Sequence, residues 1–419
     1  MIVLRLAVRS LLNRWVAASL TVLAIGVSVL LLLGVEKVRT GARASFADTI
    51  SGTDLIVGAR AGTVQLLLYS VFRIGNATNN VTWETYEDIA GQREVAWTVP
   101  ISLGDSHRGF RVMGTTAEYF EHYRYRRDRS LAFHSGAPFD DLFDAVIGAE
   151  VAESLGYKLG DPMVVAHGLG STSFAKHDDK PFRVAGILAR TGTPVDRTVH
   201  VSLAAIEAIH IDWQRGARIP GQTVSADQVR EMDLTPKAIT AALVGVKSKL
   251  AIFRLQRAIN EYPEEPLTAV LPGVALQELW SLVGVAETAL GTISAMVVVT
   301  ALLGMVTMIL ATLNARRREL AILRAVGARP ATIFALLSAE AGLLATVGAA
   351  LGLMLLYVAL AALRPWVDAE FGLALPLDPP SQREWLSLAA IVGGGFVVGL
   401  LPAFLAYRTS LADGMMVRN

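Results

Sequence analysis

The chain has 419 residues, 53% of them hydrophobic and only 18% charged, with a mean hydropathy of +0.46. Soluble domains carry about 45–50% apolar and about 25% charged residues, so part of this chain lives in lipid. A net charge of +1 argues against a nucleic-acid partner, and the lack of cysteine excludes disulfides, thiolate metal sites and a cysteine nucleophile.

At the N-terminus, MIVLRLAVRSLLNRW places Leu4, Val8, Leu11, Leu12 and Trp15 in a helical stripe with Arg5, Arg9 and Arg14 off it. That is the pattern of an interfacial helix over residues 1–15, lying on the inner membrane surface. No residue from Trp15 to Val35 is charged, and about 20 apolar residues cross a bilayer. The first span is therefore read as 16–37. It is followed by LLLGVEK rather than an A-x-A-like site, so it is read as uncleaved.

Residues 40–285 contain no run long enough to cross a membrane and read as an α+β extracytoplasmic domain. Strands are expected over Thr53–Ala59, Val95–Leu103, Arg111–Gly114, Ala145–Gly148, Met163–Ala166, Phe182–Leu188 and Thr198–Ser202. A short helix over Thr82–Ala90 is stopped by Gly91, and Ala238–Leu271 reads strand, helix, strand. One economical architecture pairs the two ends of this domain and leaves about 115–235 as an inserted subdomain.

Three further uncharged runs follow, giving a second span at 288–315 with an excess that forms a stalk or absorbs tilt, a third at 331–363 and a fourth at 385–407. The connection 364–384 has no basic excess, with Arg364 and Arg383 set against Asp368, Glu370, Asp378 and Glu384. Basic residues instead precede the first span, join the second to the third, and begin the tail at 408–419. The positive-inside rule then puts both termini and the 316–330 loop in the cytoplasm and the 40–285 domain outside. The fold class is a membrane protein with four transmembrane helices and a large α+β domain between the first and the second.

The loop from Ala315 to Pro330 reads ARRRELAILRAVGARP. Leu320, Leu323 and Val326 fall near one helical face, with Ile322 and Ala325 flanking it and Arg316, Arg317, Arg318, Glu319 and Arg324 mostly elsewhere. Gly327 suits a left-handed cap and Pro330 the first turn of the next helix. The segment is either a docking element or an ordinary loop whose arginines fix topology.

Gly348 and Gly352, and Gly395 and Gly399, are spaced four apart, so each pair lies on one helix face and lets helices approach closely, within a protomer or across a dimer. Glu340 is an acid beside a span. It is either a proton or cation site or, since the uncharged stretch after it is already long enough to cross, an interface acid at the cytoplasmic end that stays hydrated.

No glycine is followed by lysine, so these 419 residues hold no G-x-x-x-x-G-K-[ST] phosphate loop, and neither H-E-x-x-H nor G-x-S-x-G occurs. His177, Asp178 and Asp179, with His167 and His200, form the one polar cluster of metal-ligand character. Its Gly- and Ser-rich setting favours a solvated loop over a zinc site. His107, His122, His134 and His210 are scattered. Arg124, Arg126, Arg127 and Arg129 form a basic run that reads as a solvated face.

Four spans, one large domain after the first, and RRRELAILRAVGA in the second cytoplasmic loop together resemble the FtsX-like/MacB-like permeases, the membrane subunits of type VII ABC transporters. LAVRSLLNRW before the first span, DLIVGA at Asp54, FRVAGIL at Phe182 and GLLATVGAALGLML in the third span are similar to the family as well. The resemblance implies a MacB-like periplasmic core and a coupling helix in the 316–330 loop that sits in a groove of an ATPase. Leu320, Leu323 and Val326 would be its apolar contact, surrounded by Arg317, Arg318, Glu319 and Arg324. MacB carries a fused ATPase, so this chain is closer in layout to the split lipoprotein-releasing permeases. FtsX itself has a smaller outer domain.

What the resemblance implies is a non-catalytic inner-membrane subunit transmitting ATP-driven motion outward, with ATP and Mg bound by two copies of a separate ATPase. A homodimer, or a heterodimer with a similar permease, would serve export or extraction of a lipoprotein, peptide or small molecule. A periplasmic adaptor, lipoprotein or substrate-binding protein is the further partner class. The alternatives are a regulator that activates an envelope enzyme without transport, and a component of zinc handling.

Overall fold

The computed structural model describes residues 2–47, 49–126, 128–167, 179–214, 217–218, 224–315, 317–371 and 377–408. The chain divides into two compact units, one of residues 1–41, 284–366 and 375–419, the other of 42–283 and 367–374.

The first unit is helical. It is made of α1 (Ile2–Asn13), α4 (Arg317–Ala325), α6 (Gln382–Arg408) and the greater part of α2 (Trp15–Ala47), α3 (Pro272–Ala315) and α5 (Pro330–Phe371), and of these α2, α3, α5 and α6 are long and apolar enough to cross a bilayer. Leu4, Val8 and Leu12 of α1 and Trp15 are exposed, the bare apolar stripe that an interfacial helix presents to lipid. A turn at Arg14 separates α1 from α2.

Helix ends differ from the charge-based limits. α2 continues through Glu36, Lys37, Arg39 and Arg43 to Ala47, and α3 already begins at Pro272. The 40–285 limits therefore give way to helix at both ends. Charge ends a span because lipid excludes it, but it does not end a helix, since Glu, Lys and Arg are good helix formers. α5 likewise runs through Arg364 and Pro365 to Phe371. The tail from 409 lies outside the described residues. α6 starts on a capping box: the Ser381 N–H donates to the Glu384 carboxylate at 2.6 Å and the Glu384 N–H to the Ser381 hydroxyl at 3.4 Å.

The second unit is built on one eleven-stranded mixed sheet. Its path strands in chain order are β1 (Leu55–Ala59), β2 (Val95–His107), β3 (Phe110–Thr115), β4 (Phe133–Gly136), β5 (Asp144–Ile147), β6 (Phe182–Leu188), β7 (Thr198–Ser202), β8 (Ala241–Val246) and β9 (Leu267–Val270). Across the sheet they run β9-β1-β8-β2-β3-β7-β5-β6-β4. β1 lies antiparallel between β8 and β9, with Val57 opposite Ala242 and Ala269, so the two ends of the domain do pair.

The 115–235 segment has a core of its own around Phe143, Phe182 and Val199, but its sheet is continuous with that of the rest of the domain. β2 is thirteen residues long, pairing with β8 over Val95–Ile101 and with β3 over Ser102–His107, so one strand belongs to both halves. One core cluster likewise takes Ile56 and Leu243 from one half and Met113, Val146 and Leu188 from the other. The expected Met163–Ala166 strand is two pieces, Pro162–Met163 on β6 and Ala166–His167 on β2. The break falls at Val164, whose carbonyl accepts from His107 Nδ1 at 2.7 Å instead of from a ladder N–H.

Candidate functional site

α4 is the element whose placement carries the most functional meaning. Its C-terminus closes on a Schellman motif: the Ala328 N–H donates to the Leu323 carbonyl at 2.9 Å and the Gly327 N–H to the Arg324 carbonyl at 3.1 Å. Gly327 adopts φ +103°, which only glycine takes without strain. Three residues later Pro330 opens α5, so α4 is a discrete nine-residue helix with a fixed stop on one side.

The exposed face of α4 differs from the one the sequence suggests. Leu320, Leu323 and Arg324 are half-buried within the chain, whereas Ile322 is 62% and Val326 84% exposed. Ala325 and Glu319 are exposed beside them. Ile322, Ala325 and Val326 stand at i, i+3 and i+4 and make the outward apolar stripe. Periodicity finds an apolar face but not which of two adjacent faces the chain itself covers. Arg316 lies outside the described residues, and of Arg317 and Arg318 only the helical backbone is described.

Glu340 on α5 is 1% exposed, so it is not hydrated as expected. Its carboxylate lies 3.5 Å from Arg14 Nη2 at the α1–α2 turn, and Arg14 also donates to Ser10 Oγ at 2.9 Å. A buried carboxylate needs such a partner, because desolvating a lone charge costs several kcal/mol. A second buried pair, Lys37 with Glu384 at 3.3 Å, joins α2 to α6. Lys37 Nζ and the Tyr357 hydroxyl both donate to the Asp378 carbonyl, at 3.0 and 2.7 Å. Sequence reasoning missed this cluster. Its only signal is that Lys37 and Glu384 each border an uncharged run.

The four glycines lie at helix contacts within the chain. A Cβ on Gly348 would stand 2.7 Å from Ile25 Cβ, and one on Gly352 would stand 2.5 Å from the Gly26 carbonyl oxygen, so this pair seats α5 on α2. Cβ atoms on Gly395 and Gly399 would collide with Ala345 and Ala341, which seats α6 on α5 as well, nearer its N-terminus. Such approach is what small residues allow in lipid, where association rests on packing rather than on water exclusion.

The outer unit holds the remaining candidates. Lys180 is fully buried, with Nζ 3.0 Å from Asp179 and 3.1 Å from Asp212. Asp179 is therefore part of an ion pair, while His177 and Asp178 lie outside the described residues. Among the described residues no three His, Asp or Glu side chains are grouped to hold a metal.

The other histidines mostly serve packing. His200 is buried against Tyr119 and Phe120, and burial, then the charge of Arg73, pushes its pKa down to about 3. His107 is lowered mainly by burial. For His210, burial lowers the pKa, but the hydrogen bond and charge of Asp105 outweigh it and the net shift is upward. His122 stacks on Trp97. Arg124 is no mere solvated charge, since it donates to the Tyr123 carbonyl at 3.2 Å and pairs with Asp128 at 3.8 Å.

Known proteins place the chain. A family model described as the FtsX-like permease C-terminal matches residues 291–413, and one described as the MacB-like periplasmic core domain matches residues 18–255. The macrolide export ATP-binding/permease protein MacB of Nitrobacter winogradskyi is 24% identical over 411 residues, covering 94% of this chain and 57% of that protein. The chain thus spans little more than half the length of that relative.

Two solved structures are similar. The periplasmic region of MacB from Actinobacillus actinomycetemcomitans has a TM-score of 0.34 at 12% identity, covering 55% of this chain and 94% of that one. The extracellular domain of the noncanonic ABC-type transporter YknZ from Gram-positive bacteria has a TM-score of 0.31 at 14% identity, covering 52% and 99%. With one family model over more than half of the sequence and the other over its C-terminal spans, the chain belongs to the FtsX-like ABC transporter permeases that carry a MacB-like periplasmic core domain.

Proposed function

We propose that the chain transmits ATP-driven motion of a separate ATPase, which binds ATP and Mg, to its outer domain, and so drives export or extraction of an envelope substrate such as a lipoprotein, peptide or small molecule. The supporting observation is α4, a capped helix joined to α3 and α5 by a few residues and presenting Ile322, Ala325 and Val326 outward. A rigid helix with an apolar stripe suits seating in a groove. Its close connection to α3, 44 residues long, gives displacement a path outward. In this reading two copies of the chain meet two ATPase copies in the bacterial inner membrane, with α4 and both termini cytoplasmic.

The test is ATPase binding and stimulation in nanodiscs. Ile322→Asp with Val326→Asp is expected to abolish both while leaving the chain folded and membrane-inserted. Unchanged stimulation by that variant would refute the docking role of α4.

A further inference from the structure

Close contact is unevenly shared among the four spans. α5 touches α2 along Gly26, Gly348 and Gly352, and it touches α6 through Gly395 and Gly399 and through the Phe396 ring against Gly342. Ion pairs pin this set at both ends: Arg14–Glu340 at one, Lys37–Glu384 with the shared Asp378 carbonyl at the other.

α3 is held differently. An apolar groove of 810 Å³ runs between it and α2, lined by Leu20, Ala24 and Val27 on one side and Val297, Ala301 and Gly304 on the other. Added Cβ atoms on Gly284, Gly291 or Gly304 would meet nothing within 4 Å. Arg39 reaches Glu287 of α3 only at 3.9 Å, against 2.6 Å to Glu36 on its own helix. Lower in α3 the buried side chains Val298, Leu302, Met305, Val306 and Ile309 are apolar, and apolar contact has no preferred direction along the helix. Close-packed seams resist deformation, whereas a groove leaves room for it.

We propose that α2, α5 and α6 form one fixed block, that α3 alone moves by tilting into the α2–α3 groove, and that Glu340 and Lys37 are positioning residues that keep the block closed. This rests on the coupling role given to α4 above. The displacement of α4 then divides unequally: α5, welded to the block, resists it, and α3 takes it up.

The native chain has no cysteine, so full-length two-cysteine variants carry labels at chosen sites alone. Leu31→Cys with Val347→Cys reports the α2–α5 distance, Leu31→Cys with Val299→Cys the α2–α3 distance, and Leu12→Cys with Ile322→Cys follows α4. All five positions are exposed. Spin-label distances are measured in nanodiscs with the ATPase bound and labelled chain diluted into unlabelled chain, without nucleotide and with ATP and vanadate.

The α2–α3 distance is expected to shift by on the order of a few ångström while the α2–α5 distance stays fixed. Glu340→Gln should broaden the α2–α5 distribution, and Arg14→Glu with Glu340→Arg should narrow it again. An α2–α5 shift as large as the α2–α3 shift overturns the inference, as does movement of α4 with the α2–α3 distance unchanged. An α4 that stays still in both states refutes the coupling role itself and this inference with it.

Discussion

Adding one methyl group at Gly352 tests the α2–α5 seam directly. In Gly352→Ala the new Cβ would lie 2.5 Å from the Gly26 carbonyl oxygen and 2.6 Å from Val29 Cβ, where ordinary contact begins at 3.4 Å. Neither neighbour can swing away, since one is backbone and the other is the root of a stiff β-branched side chain. The helices must part by about 1 Å, which also loosens Gly348 on Ile25, and overpacking of this kind costs about 1–3 kcal/mol.

Gly304→Ala is the matched control, a mid-span glycine whose new Cβ meets nothing within 4 Å. Thermal unfolding of the full chain in one detergent, followed by tryptophan fluorescence, should lower the apparent Tm of Gly352→Ala by several degrees, at about 2–4 °C per kcal/mol. Gly304→Ala should stay at the wild-type value or rise. Equal melting of Gly352→Ala and wild type, or equal losses in both variants, would refute the packing argument.

Leu320→Asp should lower the stability of the chain, because Leu320 is half-buried within it. Ile322→Asp should leave the melting temperature alone and weaken only ATPase binding, so thermal melts and pull-downs on the two variants separate the faces of α4. The pKa of His200, held near 3 by burial and by Arg73, lies below its unfolded value of about 6.5. The folded state therefore binds fewer protons, and its stability is present above pH ~6.5 and lost as pH falls, by about 1.4 kcal/mol per unit. His210, raised overall by Asp105 against the effect of burial, contributes in the opposite sense, its stability being lost as pH rises. Hydrogen exchange of the outer domain between about pH 4.5 and 7 should show a flatter acid limb in His200→Leu; an unchanged limb would discount His200. Lys180→Met should cost about 3–5 kcal/mol by leaving the buried Asp212 without its ammonium. Lys180→Met with Asp212→Leu should recover much of that loss in denaturant melts, and full additivity of the two single losses would count against the pair.

Composition and run length settle a good deal here, because lipid imposes a strict rule: about 20 uncharged residues must coincide with each crossing. The four spans, the folded domain after the first, the glycine stop at Gly327 and strands such as Phe182–Leu188 all rest on local pattern and are legible in the chain itself. Charge marks the limits of lipid rather than of helix, so the extension of α2 to Ala47 and the start of α3 at Pro272 are not. Nor is the sharing of β2 between both halves of the sheet, since hydrophobic alternation says where a strand lies and nothing about its neighbours. The partners of Glu340 and Lys37 are 326 and 347 positions away in sequence, at Arg14 and Glu384, and only folding brings them together. The face of α4 was decided the same way. A periodic stripe is a property of one helix, but whether Leu323 or Ile322 stays bare depends on what the remainder of the chain packs against it.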